Sequence, residues 1–126
     1  MLDVVVRVVS PDVVTSPVSG ARGAFVRLEL VEEGEPVGAV ILGDLVRFEG
    51  PSGRFDVVVR RMTVEVPFAE AVPLAIVPPE LVPLLRNVRG RGVLGVREHV
   101  VVSGAALRLR GIVIGGELVG RIELFA

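Results

Sequence analysis

Three residues toward the end of the chain have the side-chain types that a hydrolytic site uses. Glu98, His99 and Ser103 supply an acid, a base and a nucleophile close together in the sequence. Glu98 and His99 are neighbours on a predicted strand, however, so their side chains point to opposite faces and cannot orient each other. Ser103 and Gly104 form a pair typical of a turn. We therefore expect no catalytic residue, a His99 that faces solvent or stabilises a hairpin, and a hydrolase using His99 only as an alternative.

A turn near the start of the chain offers a different chemistry, the binding of an anion. Ser16, Ser19 and Gly20 belong to a Ser-Pro-Val-Ser-Gly stretch whose backbone N–H groups could form a nest, and Arg22 beside it would add a charged donor. A turn without a ligand is the plainer interpretation of the same residues.

An arginine-rich segment is the third candidate. Arg86, Arg89 and Arg91 alternate with glycines in what must be a mobile loop, and each guanidinium can pair with a carboxylate or phosphate through two hydrogen bonds. A solvated loop beside a partner or membrane is the alternative. The candidate binding residues are Ser16, Ser19, Arg22, Arg86, Arg89, Arg91, Glu98 and His99.

Composition excludes several classes of function. The chain has no cysteine and a single histidine, so thiolate catalysis, disulfides and cysteine-based zinc sites are ruled out, and we expect neither a metal nor a cofactor. Its formal net charge is −1, which provides no overall positive field to attract nucleic acid. Apolar runs are too short to cross a bilayer, and no signal region opens the chain. We expect a soluble domain.

The pattern of apolar residues predicts the elements that must position these side chains. Hydrophobic residues make up 51% of the chain, with valine dominant and aromatics only 4%, a bias that favours strands. Apolar and charged residues alternate with the period of a half-buried strand. Predicted strands include residues 3–9, 26–30, 37–42, 45–48, 54–60, 62–66, 96–102, 105–114 and 117–124.

One short helix is predicted between the strands. It begins at Pro78, Pro79 and Glu80, where proline suits the first turn and the carboxylate complements the helix dipole, and Pro83 limits its length. Leu81, Leu84 and Leu85 share one face of it. The sequence therefore predicts one all-β domain over residues 1–126, with one short helix, as a partly closed barrel or sandwich of about eight to nine short strands.

Three local patterns, in the same order, resemble a known family. Residues 15–20 (TSPVSG) lead into an acidic-ended strand at 25–33. Residues 46–50 (VRFEG) precede a valine-rich strand at 53–59, and a hairpin spans residues 97–111. Together they resemble the GIDE, or beside-a-membrane (BAM), domain of the mitochondrial E3 ubiquitin ligase family and its prokaryotic relatives. The family's Cys-Val-Tyr/Phe-Tyr element is replaced by Ala-Phe-Val at 24–26.

The resemblance implies a non-catalytic domain that recognises a protein partner or substrate. Its parent would be a membrane-anchored, E3 ubiquitin-ligase-like protein, or else a cytoplasmic one. These residues hold neither flanking transmembrane helices nor a RING finger, so ligase activity is not implied for them. An alternative is an oligonucleotide- or oligosaccharide-binding barrel that uses Arg108 and Arg110, although the chain lacks the Tyr and Trp that usually stack bases.

Overall fold

The computed structural model describes residues 1–67, 69–90 and 92–125. Within these ranges the chain forms twelve strands and two 3₁₀ helices. The strands are β1 (Leu2–Val8), β2 (Val14–Thr15), β3 (Arg22–Gly23), β4 (Phe25–Glu32), β5 (Glu35–Leu42), β6 (Leu45–Gly50), β7 (Gly53–Val58), β8 (Thr63–Glu65), β9 (Val72–Pro73), β10 (Leu94–Val101), β11 (Ala106–Ile114) and β12 (Glu117–Leu124). The 3₁₀ helices span Val59–Arg61 and Pro79–Asn87.

The strands form two main sheets and a small ribbon. One sheet has six strands in the order β7-β6-β1-β11-β12-β8, and the other has four in the order β5-β4-β10-β9. Neighbours are antiparallel except β12 and β8, which run parallel. Strands β2 and β3 pair separately. The all-β prediction is confirmed, but the sheets do not close into a barrel and the strands outnumber the predicted eight to nine. Three strands have only two residues, too few to show alternation.

The six-stranded sheet buries one face and exposes an array of charged side chains on the other. On β1, Val6 and Val8 are buried while Asp3 and Arg7 face outward, as the alternation predicts. Asp3 Oδ1 accepts a hydrogen bond from Arg108 Nε at 2.7 Å, and Arg110 Nη1 lies 3.4 Å from Glu123 Oε1 on the neighbouring strand. Opposite charges on adjacent strands therefore stabilise this solvent-exposed face of the sheet.

The main core lies under the six-stranded sheet and reaches one end of the four-stranded sheet. Phe48, Leu107, Leu109 and Ile122 come from the larger sheet, and Phe25 enters from β4. All five side chains are fully buried. Burying a side chain of this size contributes about 1.5–3 kcal/mol, so this cluster holds the two sheets together.

A second core lies on the other face of the four-stranded sheet. Val26, Leu28 and Leu30 of β4 pack there with Val96 of β10 and with Leu81 of the longer 3₁₀ helix. The predicted short helix is therefore present, with Leu81, Leu84 and Leu85 all packed into this cluster, although it is a 3₁₀ helix and continues past Pro83 to Asn87.

Candidate functional site

A groove separates the outer strands of the two sheets. Strand β5 ends the four-stranded sheet and β8 ends the six-stranded sheet, and among the described residues no strand pairs with the outer edge of either. Between them lies a groove of about 470 Å³. Its lining consists of Arg27, Ala39, Val40, Ile41, Arg60, Met62, Thr63 and Val64. The lining of the groove thus includes residues of both outer strands, β5 and β8.

Arg27 links this groove to a network of charges on β4 and β10. In the antiparallel register Arg27 lies opposite His99, and Glu29 lies opposite Arg97. Glu29 accepts hydrogen bonds from Arg27 Nη2 at 3.1 Å and from Arg97 Nη1 at 2.8 Å. Arg97 Nε also donates to the Ala69 carbonyl at 2.9 Å. Two guanidinium groups therefore share one carboxylate.

The network is largely shielded from solvent. The side chains of Arg27 and Glu29 are 13% and 14% exposed. Burial disfavours ionisation of Glu29, but the hydrogen bonds from Arg97 and Arg27 outweigh it and hold the pKa of Glu29 below its ordinary value. Arg27 Nη1 is buried without a hydrogen-bond partner among the described residues. Glu29 therefore stays ionised while Arg27 keeps a donor to spare.

His99 completes the network in its neutral form. Burial and the positive charge of Arg27 lower the pKa of His99, and a hydrogen bond with the Pro67 carbonyl together with the charges of Glu29 and Glu98 opposes them only in part. His99 is half-buried and its Nδ1 is shielded, so of its two predicted roles the solvent-facing one does not describe it, and the hairpin-stabilising one stays a prediction. Sequence alternation placed it on the correct strand without showing what covers that strand.

A second pocket continues the groove along the same network. It has a volume of about 370 Å³ and is lined by Arg27, Glu29, Pro36, Val66, Pro67, Ala69 and Arg97. Arg27 lines both pockets, so the two meet at its guanidinium. Arg27, Glu29 and Arg97 form what we call the floor of the combined groove, which is polar and positively charged. The lining residues of β5 and β8 are mainly apolar.

The structure brings together three of the residues that the sequence singled out. The hydroxyl of Ser16, which is buried, donates to Glu98 Oε2, and the backbone N–H of Ser19 donates to the same oxygen at 3.3 Å. Ser16 Oγ in turn accepts from the Val18 N–H at 3.2 Å. The turn predicted to form an anion nest therefore holds a carboxylate of the same chain through the Ser16 hydroxyl and the Ser19 N–H, while the Gly20 N–H donates to the Ser16 carbonyl. Arg22, on β3, is exposed and takes no part in these bonds.

The arginine-rich segment is held in place by acidic residues. Arg89 N–H donates to Glu32 Oε1 at 2.9 Å, and Val93 N–H donates to Glu33 Oε1 at 2.8 Å. A Cβ on Gly92 would lie 1.9 Å from Glu33 Oε1, and its φ of 148° also favours glycine. The described part of the segment predicted as a mobile loop is therefore an irregular loop whose backbone is bonded to buried Glu32 and to its neighbour Glu33.

The arginine side chains of this segment do not converge on one site. Arg86 is exposed on the 3₁₀ helix, and Arg89 lines a pocket of about 610 Å³ whose other walls include Glu32, Glu33 and Glu35. Arg91 lies outside the described residues. Among the described residues that line this pocket are three glutamates and one arginine, Arg89.

The predicted acid, base and nucleophile remain apart. Glu98 binds Ser16, His99 lies against Arg27 and Pro67, and the N–H of exposed Ser103 donates to Asp12 Oδ1 at 2.7 Å. The arginines that suggested a nucleic-acid surface are also engaged, since Arg108 pairs with Asp3 and Arg110 lies near Glu123. Neither constellation forms a separate site.

Sequence reasoning missed Arg27, Glu29 and Arg97, which form the floor of the groove. All three looked like the wet face of amphipathic strands, and the alternation is real. One signal was available: strand β4 carries Arg27 and Glu29 on one face and β10 carries Arg97 and His99, so pairing of these strands would bring four titratable groups together.

The described residues contain neither a cluster of metal ligands nor a helix suited to span a membrane. In residues 1–67, 69–90 and 92–125, no three His, Asp or Glu side chains are grouped as metal ligands would be. Over the same described part of the chain, no helix has the length and apolar character needed to cross a bilayer.

Comparison with known proteins adds no relative. No family model, no curated protein and no solved structure matches the chain. The resemblance to the GIDE, or beside-a-membrane, domain therefore stays a prediction.

Proposed function

We propose that this protein is a recognition module that binds an extended segment of a partner protein in the groove between β5 and β8. The observation that carries the proposal is that both outer strands, each unpaired on its outer side among the described residues, contribute to the lining of one groove. A segment entering there would add a strand, with main-chain hydrogen bonds supplying affinity and side-chain pockets supplying specificity.

The two edges are protected against aggregation in ways that still leave room for a binding site. Long flat edges lead to aggregation, and proteins shorten them or interrupt them with proline. Strand β8 has three residues, and β5 carries Pro36 next to its first residue. Ala39, near the middle of β5, is small and exposed, so an incoming backbone can approach the strand there. The accessible edge is therefore short and has one obvious point of entry.

The groove side chains suit recognition better than bond making. Exposed Ala39 and partly buried Ile41 supply apolar contacts, and exposed Thr63 supplies a hydroxyl, while Met62 and Val64 belong to the main core. Such a mixture, mainly apolar with a few placed polar groups, is typical of binding sites. The wider setting of the proposal, a parent protein linked to ubiquitin conjugation beside a membrane, comes from the family resemblance alone.

The proposal is tested by selecting peptides from a displayed library of random twelve-residue sequences and then mapping where they bind. Selected peptides should slow backbone hydrogen exchange at 39–41 on β5 and at Thr63 on β8. Ala39→Phe, which fills the groove, should reduce their affinity at least tenfold, a change of about 1.4 kcal/mol. Ala106→Phe is the matched control, because Ala106 is exposed on the six-stranded sheet, outside the residues that line the groove.

Two results would contradict the proposal. One is peptides that bind with no protection of either edge. The other is a stable dimer in sedimentation whose interface protects the same edges, because a second copy of the chain would then be the groove's occupant.

A further inference from the structure

We infer that the segment bound in the groove carries an acidic side chain, glutamate or aspartate, between two apolar residues. This inference rests on the function proposed above and specifies the chemistry of the partner. It follows from the charge of the groove and from the position of that charge relative to the apolar walls.

Among the described residues, the pocket between β5 and β8 is lined by two arginines and no carboxylate, whereas Glu29 lines the adjoining pocket. Arg27 lies at the floor and Arg60 at the rim, while the other lining residues are apolar apart from Thr63. A neutral segment would cover both guanidinium groups without offering them an acceptor, which is costly for a charge losing solvent. A carboxylate entering between them would meet both.

Arg27 is not neutralised by its own neighbours. Its only paired carboxylate, Glu29, also accepts a hydrogen bond from Arg97 at 2.8 Å, and Nη1 of Arg27 has no partner among the described residues. His99, directly across the strand pair, is held neutral by burial and by Arg27 itself. Nη1 of Arg27 is thus a buried guanidinium donor at the floor, and a ligand carboxylate would give it an acceptor.

Arg60 is available at the rim. It lies 3.4 Å from Asp44, and both side chains are more than half exposed. An ion pair of that length in water is weak, so a ligand carboxylate can replace Asp44 at little cost. Arg60 can therefore bind the same acidic side chain from the solvent side.

The apolar walls determine the neighbours of the acidic residue. In an extended segment, side chains two positions apart point to the same side. When the acidic side chain points to Arg27, the residues two before and two after it point to the same side, toward the accessible apolar residues of the lining, exposed Ala39 and partly buried Ile41. The expected pattern is apolar, any residue, acid, any residue, apolar. A monoanion fits better than a phosphate dianion, since the surplus at the floor is a single guanidinium.

The experiment uses the twelve-residue peptides selected on the wild-type protein, with their affinities measured by calorimetry. Changing the acidic residue of a selected peptide to its amide should weaken binding to the wild type roughly tenfold, as for loss of a charge-assisted hydrogen bond. The same change should have almost no effect on binding to Arg27→Met, which keeps a long apolar stem. Arg60→Gln, at the exposed rim, gives an intermediate loss and serves if Arg27→Met is poorly folded.

The outcomes separate this inference from the function it rests on. Peptides that protect β5 and β8 but show no acidic preference, or bind equally well as amides, would overturn the inference and leave the function standing. A phosphoserine version that binds more than tenfold tighter than the acidic peptide would overturn the choice of carboxylate. Peptides that leave both edges unprotected would overturn both proposals.

Discussion

The Ser16 hydroxyl donates a hydrogen bond to the carboxylate of Glu98, although 82 positions separate the two residues in the chain. The bond joins the turn before β3 to the middle of β10, and the Ser19 N–H reinforces it. A turn that looks like a binding site in the sequence thus anchors the small β2-β3 ribbon to the four-stranded sheet.

Replacing Ser16 by alanine should destabilise the protein by about 1.5–3 kcal/mol, because a buried hydroxyl bonded to a charged group is lost and Glu98 keeps only a backbone donor. Urea unfolding measures the change. Ser19→Ala is the matched control, since Ser19 is exposed and its backbone N–H still reaches Glu98. Equal losses for the two variants would show that the Ser16 bond has no special weight.

Removing Glu29 should cost more stability than removing Arg27. Arg27→Met leaves Glu29 paired with Arg97, whereas Glu29→Gln leaves two neighbouring arginines that share no carboxylate. We expect the difference in unfolding free energy to be about 1–2 kcal/mol, since the groups are only partly shielded from water. Chemical denaturation of both variants measures it, and a costlier Arg27→Met would contradict the shared-carboxylate arrangement.

Stability should decline as pH falls from 7.5 to 5.5, and His99 should be responsible for part of that decline. The pKa of His99 is lowered in the folded protein by burial and by Arg27, so the unfolded chain takes up the proton first, near the ordinary value of about 6.5. The contribution of His99 to the free energy of unfolding is complete above that pH. It is lost as the pH falls toward the pKa of His99 in the folded protein.

The check on this prediction is His99→Gln, unfolded in urea at both pH values. Glu29 stays ionised throughout this window because its pKa is lowered. The wild type should therefore lose more stability than the variant between the two pH values. A variant with the same pH dependence as the wild type would assign the effect to other groups.

Glu32→Ala should loosen the segment that contains Arg89. Glu32 is buried and accepts the Arg89 N–H, so its loss leaves that amide without this acceptor. We expect hydrogen exchange at Arg89 to accelerate at least tenfold, equivalent to about 1.4 kcal/mol of local opening, while Val93 keeps its bond to Glu33. Glu35→Ala is the control, as Glu35 is exposed and borders the same pocket. Unchanged exchange in Glu32→Ala would show that other contacts hold the segment.

The sequence predicted the strands well wherever turns and alternation agreed. The last three predicted strands, for example, match β10, β11 and β12 to within two residues at each end. The turn between β11 and β12 is formed by Gly115 and Gly116, whose φ values of 58° and 82° suit a two-residue hairpin and are easy only for glycine. Turn signals and alternation depend on residues that are close together in the chain, so they can be recognised in the sequence directly.

The partners of side chains on paired strands could not be predicted in the same way. Ser16, Ser19 and Glu98 were each recognised as polar residues of interest, but only the folded chain shows that they bind one another. Arg27 and His99 face each other because β4 pairs with β10 in one particular register, and shifting that register by one residue would turn every side chain to the other face.

By itself, therefore, the sequence determined the all-β class, the position of most strands and the location of the tight turns, because backbone preferences and the two-residue period act over a few residues. Tertiary structure alone decided which strands end the sheets, that β5 and β8 flank a common groove, and that Arg27 lies at its floor. Those features depend on long-range packing of the apolar faces, to which many residues contribute a little and no short motif contributes enough to be recognised.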